Sequence, residues 1–443
     1  MVEANIKIIE ELKQFLEIVS NDPEARNMFT ESEKNFTRQR KLTLERVAGI
    51  IINMPKRSLS IELNEFFARL GHGSLEVTKG AFSQQRGKLH PLFFKLWNHL
   101  LAESFYLHYG EKVERWQGFR LLAVDGSTAY LMDAGDVVRE FGTSGNQHSQ
   151  VPMARVMQVH DVLNDITVRG DIFPIGKSEN SIMAQWVRHL YQDSLTLFDR
   201  GFPSYGLMYL LMNEEVPRHF VMRCKVGFNS EVRQFVKDGA HSRTIELSPG
   251  FKAMAMLREN GYIVTPGTTI KVRMVRVILP TGETEVLLTN LYDEKTYPVE
   301  GFKNLYFLRW GIETAYGKQK NQQQMEQFSG HRAICIRQDY AAGLFTANLQ
   351  ALVEKQCKPH LEKVNAIRQY NYKVNRNISW SFLKHDVVKL FLQEDPRVIL
   401  LRLQKAFERN LEPIRPGRQN PRKAKKRRLI GKYQTLTNYR RAI

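Results

Sequence analysis

Two short apolar segments, each ending at an aspartate, constrain the fold of this chain more than any other feature. Segment 119–124 leads into Asp125, and segment 194–198 leads into Asp199. Runs of this length and apolarity are typical of strands buried inside a sheet. We therefore predict two buried strands that each deliver a carboxylate to their carboxyl-terminal edge. An aspartate after a strand is most often a turn residue, so each one alone leaves that alternative open.

The segments around these strands predict an α/β fold. Ser178 is expected to cap a helix, because a serine side chain can accept a hydrogen bond from the first helical turn. The expected elements are strands at 151–160, 165–173 and 219–224, and helices at 179–191 and 205–213. This alternation of strands and helices indicates an α/β core.

Residues 225–302 have a different texture and predict a β-rich insertion. Basic and apolar residues mix in 271–279, a turn is expected at 280–283, and a strand returns after it. The insertion could present three cations to DNA, namely Lys271, Arg273 and Arg276. The solvated outer edge of a hairpin explains the same pattern equally well.

The first 112 residues predict a helical region. Apolar residues recur at helical spacing between residues 8 and 19 and again between 44 and 51. The segment 74–86 is compatible with a helix-turn-helix whose second helix carries Ser83, Gln84 and Arg86 to DNA. A plain helical bundle with a polar face fits it as well.

The charge balance predicts a polyanionic partner. The chain has 443 residues, with 65 Lys and Arg against 46 Asp and Glu, a net charge of +19. A surplus of this size favours nucleic acid, and less often a membrane surface, as the partner. Eleven Lys and Arg and no acid follow Glu412, which predicts a tail that is either simply solvated or anchored to a polyanion.

The sequence offers no sign of export or of membrane insertion. Its first residues form an amphipathic, acid-containing segment, unlike a secretory signal, and no apolar stretch is long enough to span a bilayer. The three cysteines, Cys224, Cys335 and Cys357, lack the spacing of a zinc site. We interpret them as reduced thiols in a cytoplasmic protein.

A predicted long helix, at about 302–327, carries four functional groups on one face. Arg309, Glu313 and Lys320 follow Tyr306 at offsets of 3, 7 and 14 residues. They therefore lie at roughly 300°, 340° and 320° from it, in a stripe about 60° wide. Charged stripes are common on exposed helices, so this face is functional only if its context supports a site.

Two strand-terminal aspartates and a helical glutamate in a basic protein fit a divalent-metal site for phosphoryl transfer. Mg²⁺ prefers hard oxygen ligands, and carboxylates supply them. Two ions about 4 Å apart activate the attacking oxygen and stabilise the leaving oxygen. Neighbouring Arg and Lys side chains can hold the phosphate. We therefore predict that each of three residues, Asp125, Asp199 and Glu313, is catalytic and also binds metal.

The chain resembles the bacterial insertion-sequence transposases of the DDE type named after insertion sequence four. The spacing from Tyr306 through Arg309 and Glu313 to Lys320 matches the Y-R-E-K signature of that family. Asp125 in Val-Asp-Gly-Ser and Asp199 in Phe-Asp-Arg-Gly-Phe resemble its two acidic motifs. The resemblance covers roughly residues 115 to 335.

The resemblance implies a ribonuclease-H-like core and a particular chemistry. Asp125 would bridge two Mg²⁺ ions, for which Mn²⁺ may substitute, while Asp199 and Glu313 would each hold one ion. Tyr306, Arg309 and Lys320 would grip phosphates. The enzyme would nick the ends of a mobile element, and the freed 3′-hydroxyl would then attack target DNA.

The resemblance also implies the partners and the location. The partners are double-stranded DNA, as terminal inverted repeats and as target, and a second subunit in a DNA-bound homodimer. The location is the bacterial cytoplasm, at the nucleoid.

One departure from the family concerns base flipping, because relatives can stack a flipped base on a tryptophan of the insertion and residues 225–302 contain no tryptophan. The aromatic residues that could substitute for it are Phe228, Phe235, Phe251 and Tyr262.

The expected organisation is an α/β protein with a ribonuclease-H-like catalytic core, a β-rich insertion, and helical regions at both ends. Its parts are a helical DNA-binding region (1–112), the first part of the core (113–224), the insertion (225–302), the second part of the core (303–375), a helical region (376–412) and a basic tail (413–443).

Three other functions compete with that of a transposase. A non-mobile nuclease on the same fold would keep the same three carboxylates. A DNA-binding protein derived from a transposase would have lost catalysis, although all three acids remain here. A two-carboxylate glycosidase explains neither the basic charge nor the presence of Arg309 and Lys320 beside Glu313.

Overall fold

A computed structural model describes residues 1–38, 40–53, 56–71, 77–146, 149–279 and 281–415. The strands are β1 (Arg120–Tyr130), β2 (Thr143–Asn146), β3 (Ser149–Asp161), β4 (Ile166–Pro174), β5 (Ser194–Phe198), β6 (His219–Cys224), β7 (Ser242–Leu247), β8 (Ile270–Ile278), β9 (Thr284–Thr289), β10 (Tyr372–Val374) and β11 (Leu411–Pro413). The first nine form one sheet in the order β2-β3-β1-β5-β6-β9-β8-β7, and β4 pairs with β3. The last two form a separate pair.

Seventeen α-helices surround this sheet within the described residues. They are α1 (Val2–Asn21), α2 (Pro23–Asn27), α3 (Leu44–Ile52), α4 (Leu59–Arg69), α5 (Lys79–Arg86), α6 (Leu92–Tyr109), α7 (Gly135–Phe141), α8 (Glu179–Trp186), α9 (Tyr205–Met212), α10 (Ser230–Asp238), α11 (Phe251–Glu259), α12 (Val299–Phe307), α13 (Trp310–Asn321), α14 (Ala333–Gln356), α15 (Lys358–Ile367), α16 (Arg376–Leu392) and α17 (Pro396–Arg409). The predicted mixed α/β fold is confirmed.

The two buried strands predicted from the apolar runs are present, and they lie side by side. β1 and β5 pair in parallel, and β5 ends at Phe198 as expected. β1 does not end at Asp125, as the sequence suggested. It continues to Tyr130 because residues 125–130 pair antiparallel with residues 153–158 of β3.

The alternation of side chains along β1 defines the two faces of the sheet. Leu121 and Ala123 pack in one apolar cluster with Ile312 and Tyr316 of α13. Leu122 and Val124 belong to the other cluster, which includes the amino-terminal helices. Since side chains alternate along a strand, Asp125 projects to the face covered by α13.

Two predicted helices are shorter than expected. The helix expected at 302–327 is divided into α12 and α13, which are separated at Leu308 and Arg309. Both of these residues keep helical backbone angles, so the interruption is slight. α8 is capped by Ser178, as predicted, and ends at Trp186, where a 3₁₀ turn replaces its last residues.

The region predicted to be a β-rich insertion is part of the central sheet. β9 pairs antiparallel with β6, and β8 and β7 extend the sheet beyond it. The region also contains the helices α10 and α11. The apolar segment of β9 covers the edge of β6, which explains why these strands join the core sheet.

The first 112 residues are helical, and α5 lies where the sequence is compatible with a recognition helix. Ser83 and Gln84 are exposed, but Arg86 is 2% exposed and its guanidinium pairs with Asp339 at 2.9 Å. The prediction that Arg86 reaches DNA is therefore wrong for this structure, because its charge is neutralised inside the protein. The turn expected before this helix, at 74–76, lies outside the described residues.

Three further findings bear on the sequence predictions. Among the described residues, no helix is long and apolar enough to cross a bilayer. The three cysteines are buried and form no disulfide. The predicted basic tail lies outside the described residues from position 416 onward.

Candidate active site

The sheet brings Asp125 and Asp199 to the same level on neighbouring strands. Val124 of β1 is the register partner of Phe198, the last residue of β5. Asp125 and Asp199 each follow directly. Both side chains are partly exposed, so their carboxylates can be reached from solvent.

Glu313 on α13 adds a third carboxylate to this cluster, because its negative charge acts on Asp125. Burial raises the pKa of Asp125 to about 7; Arg309 opposes this effect, and the negative charges of Asp199 and Glu313 add to it. Charges act on one another in this way over short distances inside a protein, so Asp199 and Glu313 both lie within electrostatic reach of Asp125. The structure thus places Asp125 and Asp199 on neighbouring strands and the charge of Glu313 within electrostatic reach of Asp125. That these three acids form one catalytic site stays a prediction.

Arg309 neutralises part of this cluster. Its guanidinium donates a hydrogen bond of 2.7 Å to Glu313, one helical turn further on, and packs against the rings of Tyr306 and Trp310. The residue is 5% exposed. Among the described residues, its Nε is buried without a hydrogen-bond acceptor. Arg309 therefore retains donor capacity inside the site.

Tyr306 lies in the site with its side chain buried. Its side chain is 6% exposed, and its hydroxyl donates a hydrogen bond of 3.2 Å to the carbonyl of Phe198. Burial raises the pKa of Tyr306 well above its usual range, which keeps the hydroxyl protonated as a donor. The hydroxyl thus holds the backbone just before Asp199, and the predicted phosphate contact of Tyr306 stays a prediction.

Lys320 contacts β1 just beyond the acids. Its ammonium group donates to the Ser127 hydroxyl at 2.7 Å and to the Thr128 carbonyl at 2.8 Å. These contacts tie the end of α13 to β1 beyond Asp125. Tyr306 and Lys320, at the two ends of the predicted stripe, thus both contact the sheet, despite the break between α12 and α13.

Tyr316 and Gly126 belong to the site, although the sequence reasoning missed both roles. The Tyr316 hydroxyl donates a hydrogen bond of 2.9 Å to the carbonyl of Asp125. Its position three residues after Glu313, on the same helical face, was the available signal. Gly126 lies against Glu179, which pairs with Arg155, and a Cβ at this position would overlap the Glu179 carboxylate.

The three cations predicted in the insertion have different environments. Lys271 is exposed and remains a candidate for contact with DNA. Arg273 is fully buried, and its guanidinium donates to the carbonyls of Leu291 and Tyr297. Arg276 is partly buried and donates to the carbonyl of Val236.

The full burial of Arg273 contradicts the prediction that it is presented to DNA, whereas Arg276 is partly exposed and its contact with DNA stays a prediction. Both guanidinium groups are held by backbone carbonyls because neighbouring segments of the chain cover them. Of the aromatic residues that could stack on a flipped base, Phe235 is buried, whereas Phe251 is 88% exposed. Phe228 and Tyr262 are partly exposed.

The carboxylate cluster suits a divalent cation chemically but is not closed around one. Among the described residues, no group of three or more His, Cys, Asp or Glu side chains has the arrangement of a metal site. The carboxylate of Glu313 forms an ion pair with Arg309, and this contact would have to break before Glu313 could bind a metal ion. Burial is the main cause of the raised pKa of Asp125, and the charges of Asp199 and Glu313 add to it, so a cation beside these acids would favour the charged carboxylate.

Comparison with known proteins identifies relatives at low identity. The chain is similar to the transposase InsG of insertion sequence element IS4 from Escherichia coli strain K12, with 24% identity over 297 residues. This match covers 66% of this chain and 65% of InsG. A putative transposase of the same strain, InsZ, is 24% identical over 120 residues, which are 26% of this chain and 40% of InsZ. The matches thus span less than two thirds of either relative.

Family models and solved structures add little to these relatives. No protein-family model matches the chain. Among solved structures, the cryo-EM structure of a piggyBac transposase synaptic complex with hairpin DNA aligns with a TM-score of 0.41 and 11% identity, over 91% of this chain and 80% of that one. A likeness at this score supports no conclusion about function.

Proposed function

We propose that this protein is a DNA transposase of the DDE type with a ribonuclease-H-like core, which cleaves the ends of an insertion sequence and joins them to target DNA. The observation that carries the proposal is the placement of Asp125 and Asp199 side by side after neighbouring strands, with the charges of Asp199 and Glu313 both acting on Asp125. The similarity to proteins named as transposases supports it independently.

The proposed site would hold two Mg²⁺ ions, for which Mn²⁺ can substitute, through its three carboxylates. When bound, such ions activate the attacking oxygen and stabilise the leaving oxygen of a phosphodiester. The donor set is entirely oxygen, as Mg²⁺ requires. In the proposal Glu313 exchanges its contact with Arg309 for a contact with metal.

Arg309 is then free to serve the substrate. Its guanidinium lies beside the acids, already has an unused donor, and is held in place by two aromatic rings. A guanidinium released from Glu313 can donate two parallel hydrogen bonds to a phosphate. Lys320 keeps α13 against β1, and Tyr306 keeps the end of β5 in place, so both maintain the spacing of the acids.

The proposed partner is double-stranded DNA, as terminal inverted repeats and as target. The net charge of +19 provides the electrostatic attraction that such a partner needs. We further propose that two copies act together on DNA, because an element has two ends that must be brought to one target site.

A strand-cleavage assay tests the proposal. A labelled duplex that carries the terminal repeat of the element is incubated with the protein and Mg²⁺ or Mn²⁺, with wild type beside Asp125→Ala. Asp193→Asn serves as a control because Asp193 lies just before the opposite end of β5 and pairs with the exposed Arg115.

We expect metal-dependent cutting at the repeat boundary by the wild type and by Asp193→Asn, and none by Asp125→Ala. Cutting that survives in Asp125→Ala would contradict the site. Wild-type protein that binds the repeat but never cuts it would instead favour a DNA-binding protein without catalysis.

A further inference from the structure

A cavity of about 370 Å³ lies on the opposite face of the sheet from the carboxylates. It is bordered by α6, β4, the end of α8 and α14. Its apolar lining includes Leu122 of β1, Val159 of β3 and Leu344 of α14. Leu122 precedes Asp125 by three residues and points to the other face, so DNA at the carboxylates would not enter this cavity. Pockets that bind small molecules are typically about 300–1,000 Å³ and mostly apolar.

One guanidinium in this cavity has no anionic partner among the described residues. Arg169 of β4 lines the cavity and stacks on Trp186, with its guanidinium carbon 5.1 Å from the ring centroid. In the described part of the chain, no hydrogen bond or ion pair of its side chain is present. The nearby carboxylate of Asp171 is already engaged, at 2.5 Å from the ammonium group of Lys95 and 2.8 Å from the amide of Ile172.

Two histidines and a second arginine lie near Arg169. His99 and His189 also line it, and Arg188 is adjacent in the sequence. His99 has a weak contact with Glu103, at 3.8 Å. Burial lowers the pKa of His189, and the positive charges of Arg169 and Arg188 lower it further. The charge of Asp171 also acts on Arg169, but the Asp171 carboxylate is engaged by Lys95, so the Arg169 guanidinium keeps donor capacity beside the apolar floor of the cavity.

We propose that this cavity binds a small organic anion, with a flat apolar body against Leu122 and Leu344 and a phosphate, carboxylate or sulfonate group on Arg169. The size of the cavity matches one such molecule. The guanidinium of Arg169 would bind the anionic group, and the apolar lining with the ring of Trp186 would bind the flat body of the ligand. This proposal does not rest on the proposed transposase activity.

Fluorescence titration with 8-anilinonaphthalene-1-sulfonate tests it on the full-length protein. N-phenyl-1-naphthylamine is the matched neutral probe, because it has the same apolar body without the sulfonate. The variants are Arg169→Gln on β4 and Lys95→Gln on α6, which releases the Asp171 carboxylate. Arg139→Gln, an exposed position on α7, is the control with the same change of charge.

We expect the wild type to bind the sulfonate at one site, at least about tenfold more tightly than the neutral probe, which corresponds to one charged hydrogen bond. Arg169→Gln and Lys95→Gln should each remove this preference, while Arg139→Gln keeps it. Thermal melting of both variants checks that they are folded, and the two substitutions lie on different elements, so a folding defect in one leaves the other as the test.

Two results would overturn the proposal. Equal sulfonate binding by the wild type and a folded Arg169→Gln or Lys95→Gln variant would place the probe on an unrelated apolar surface. Displacement of the bound sulfonate by duplex DNA would assign the basic groups to DNA instead. Neither result depends on strand cleavage. A failure of the anion-binding proposal can therefore be distinguished from a failure of the proposed transposase function.

Discussion

The ionisation of Asp125 depends on the residues around it, and it gives a first prediction at the scale of single residues. Because folding raises the pKa of this carboxyl to about 7, the native state retains its proton where the unfolded chain has lost it. The resulting stabilisation is complete at low pH and is lost as the pH rises through about 7. Above that pH the metal-free protein contains a charged carboxylate beside two others.

Asp125→Asn should therefore stabilise the metal-free protein at alkaline pH. In urea denaturation with EDTA at about pH 8, we expect its free energy of unfolding to exceed that of the wild type by on the order of 1 kcal/mol or more. The difference should shrink at about pH 5.5, where Asp125 is neutral. If the variant is no more stable than the wild type at either pH, burial and the neighbouring acids do not raise the pKa of Asp125 as described.

Gly126 provides a second prediction at this scale. A methyl group there would overlap the carboxylate of Glu179, so Gly126→Ala should destabilise the protein by about 1–3 kcal/mol. Gly135→Ala is the control, because a Cβ there meets nothing within 4 Å. Adding Glu179→Ala to Gly126→Ala should recover part of the stability. Equal stability of the two alanine variants would show that Glu179 can move away freely.

At the scale of elements, α13 is held to β1 by the Tyr316 hydroxyl. Tyr316→Phe removes its hydrogen bond to the Asp125 carbonyl, and we expect the unfolding free energy to fall by about 0.5–1.5 kcal/mol. Cleavage should also slow, because Glu313 is on the same helix, while DNA binding stays unchanged. Tyr209→Phe, on α9, is the control. Unchanged cleavage by Tyr316→Phe would mean that this bond does not position the acids.

The elements also show what could be predicted from the sequence. The strands that carry the two aspartates follow from short apolar runs, and the residues of the Tyr306–Lys320 stripe follow from helical spacing. The break between α12 and α13 could not be predicted from helical spacing. Leu308 and Arg309, the two residues at the break, keep helical backbone angles, and the helical spacing of the stripe continues through them.

The sequence patterns could not predict which individual cationic side chains are buried. Arg86 and Arg273 appear in segments that look exposed, but each is covered by a segment distant in sequence. Arg86 meets Asp339 of α14, and Arg273 meets the carbonyls beyond β9. Which side chain is covered depends on these long-range contacts rather than on local alternation.

At the scale of the whole molecule, the basic carboxyl-terminal segment should strengthen DNA binding without regard to sequence. Truncation after Arg415 keeps β11 intact and removes ten of the eleven Lys and Arg that follow Glu412. We expect weaker binding to all duplexes alike and a shallower dependence of affinity on salt, by about 0.9 in logarithmic slope for each phosphate that the segment neutralises in the full chain. An unchanged slope would show that the segment does not bind DNA.

The most direct test of the central claim, that three carboxylates form one metal-dependent cleavage site, is strand cleavage by Glu313→Gln. The substitution removes a metal-holding charge and almost no volume. We predict that the variant binds the terminal repeat as the wild type does but does not cut it with Mg²⁺. Cutting at the wild-type rate would contradict the assignment of Glu313 and, with it, the proposed active site.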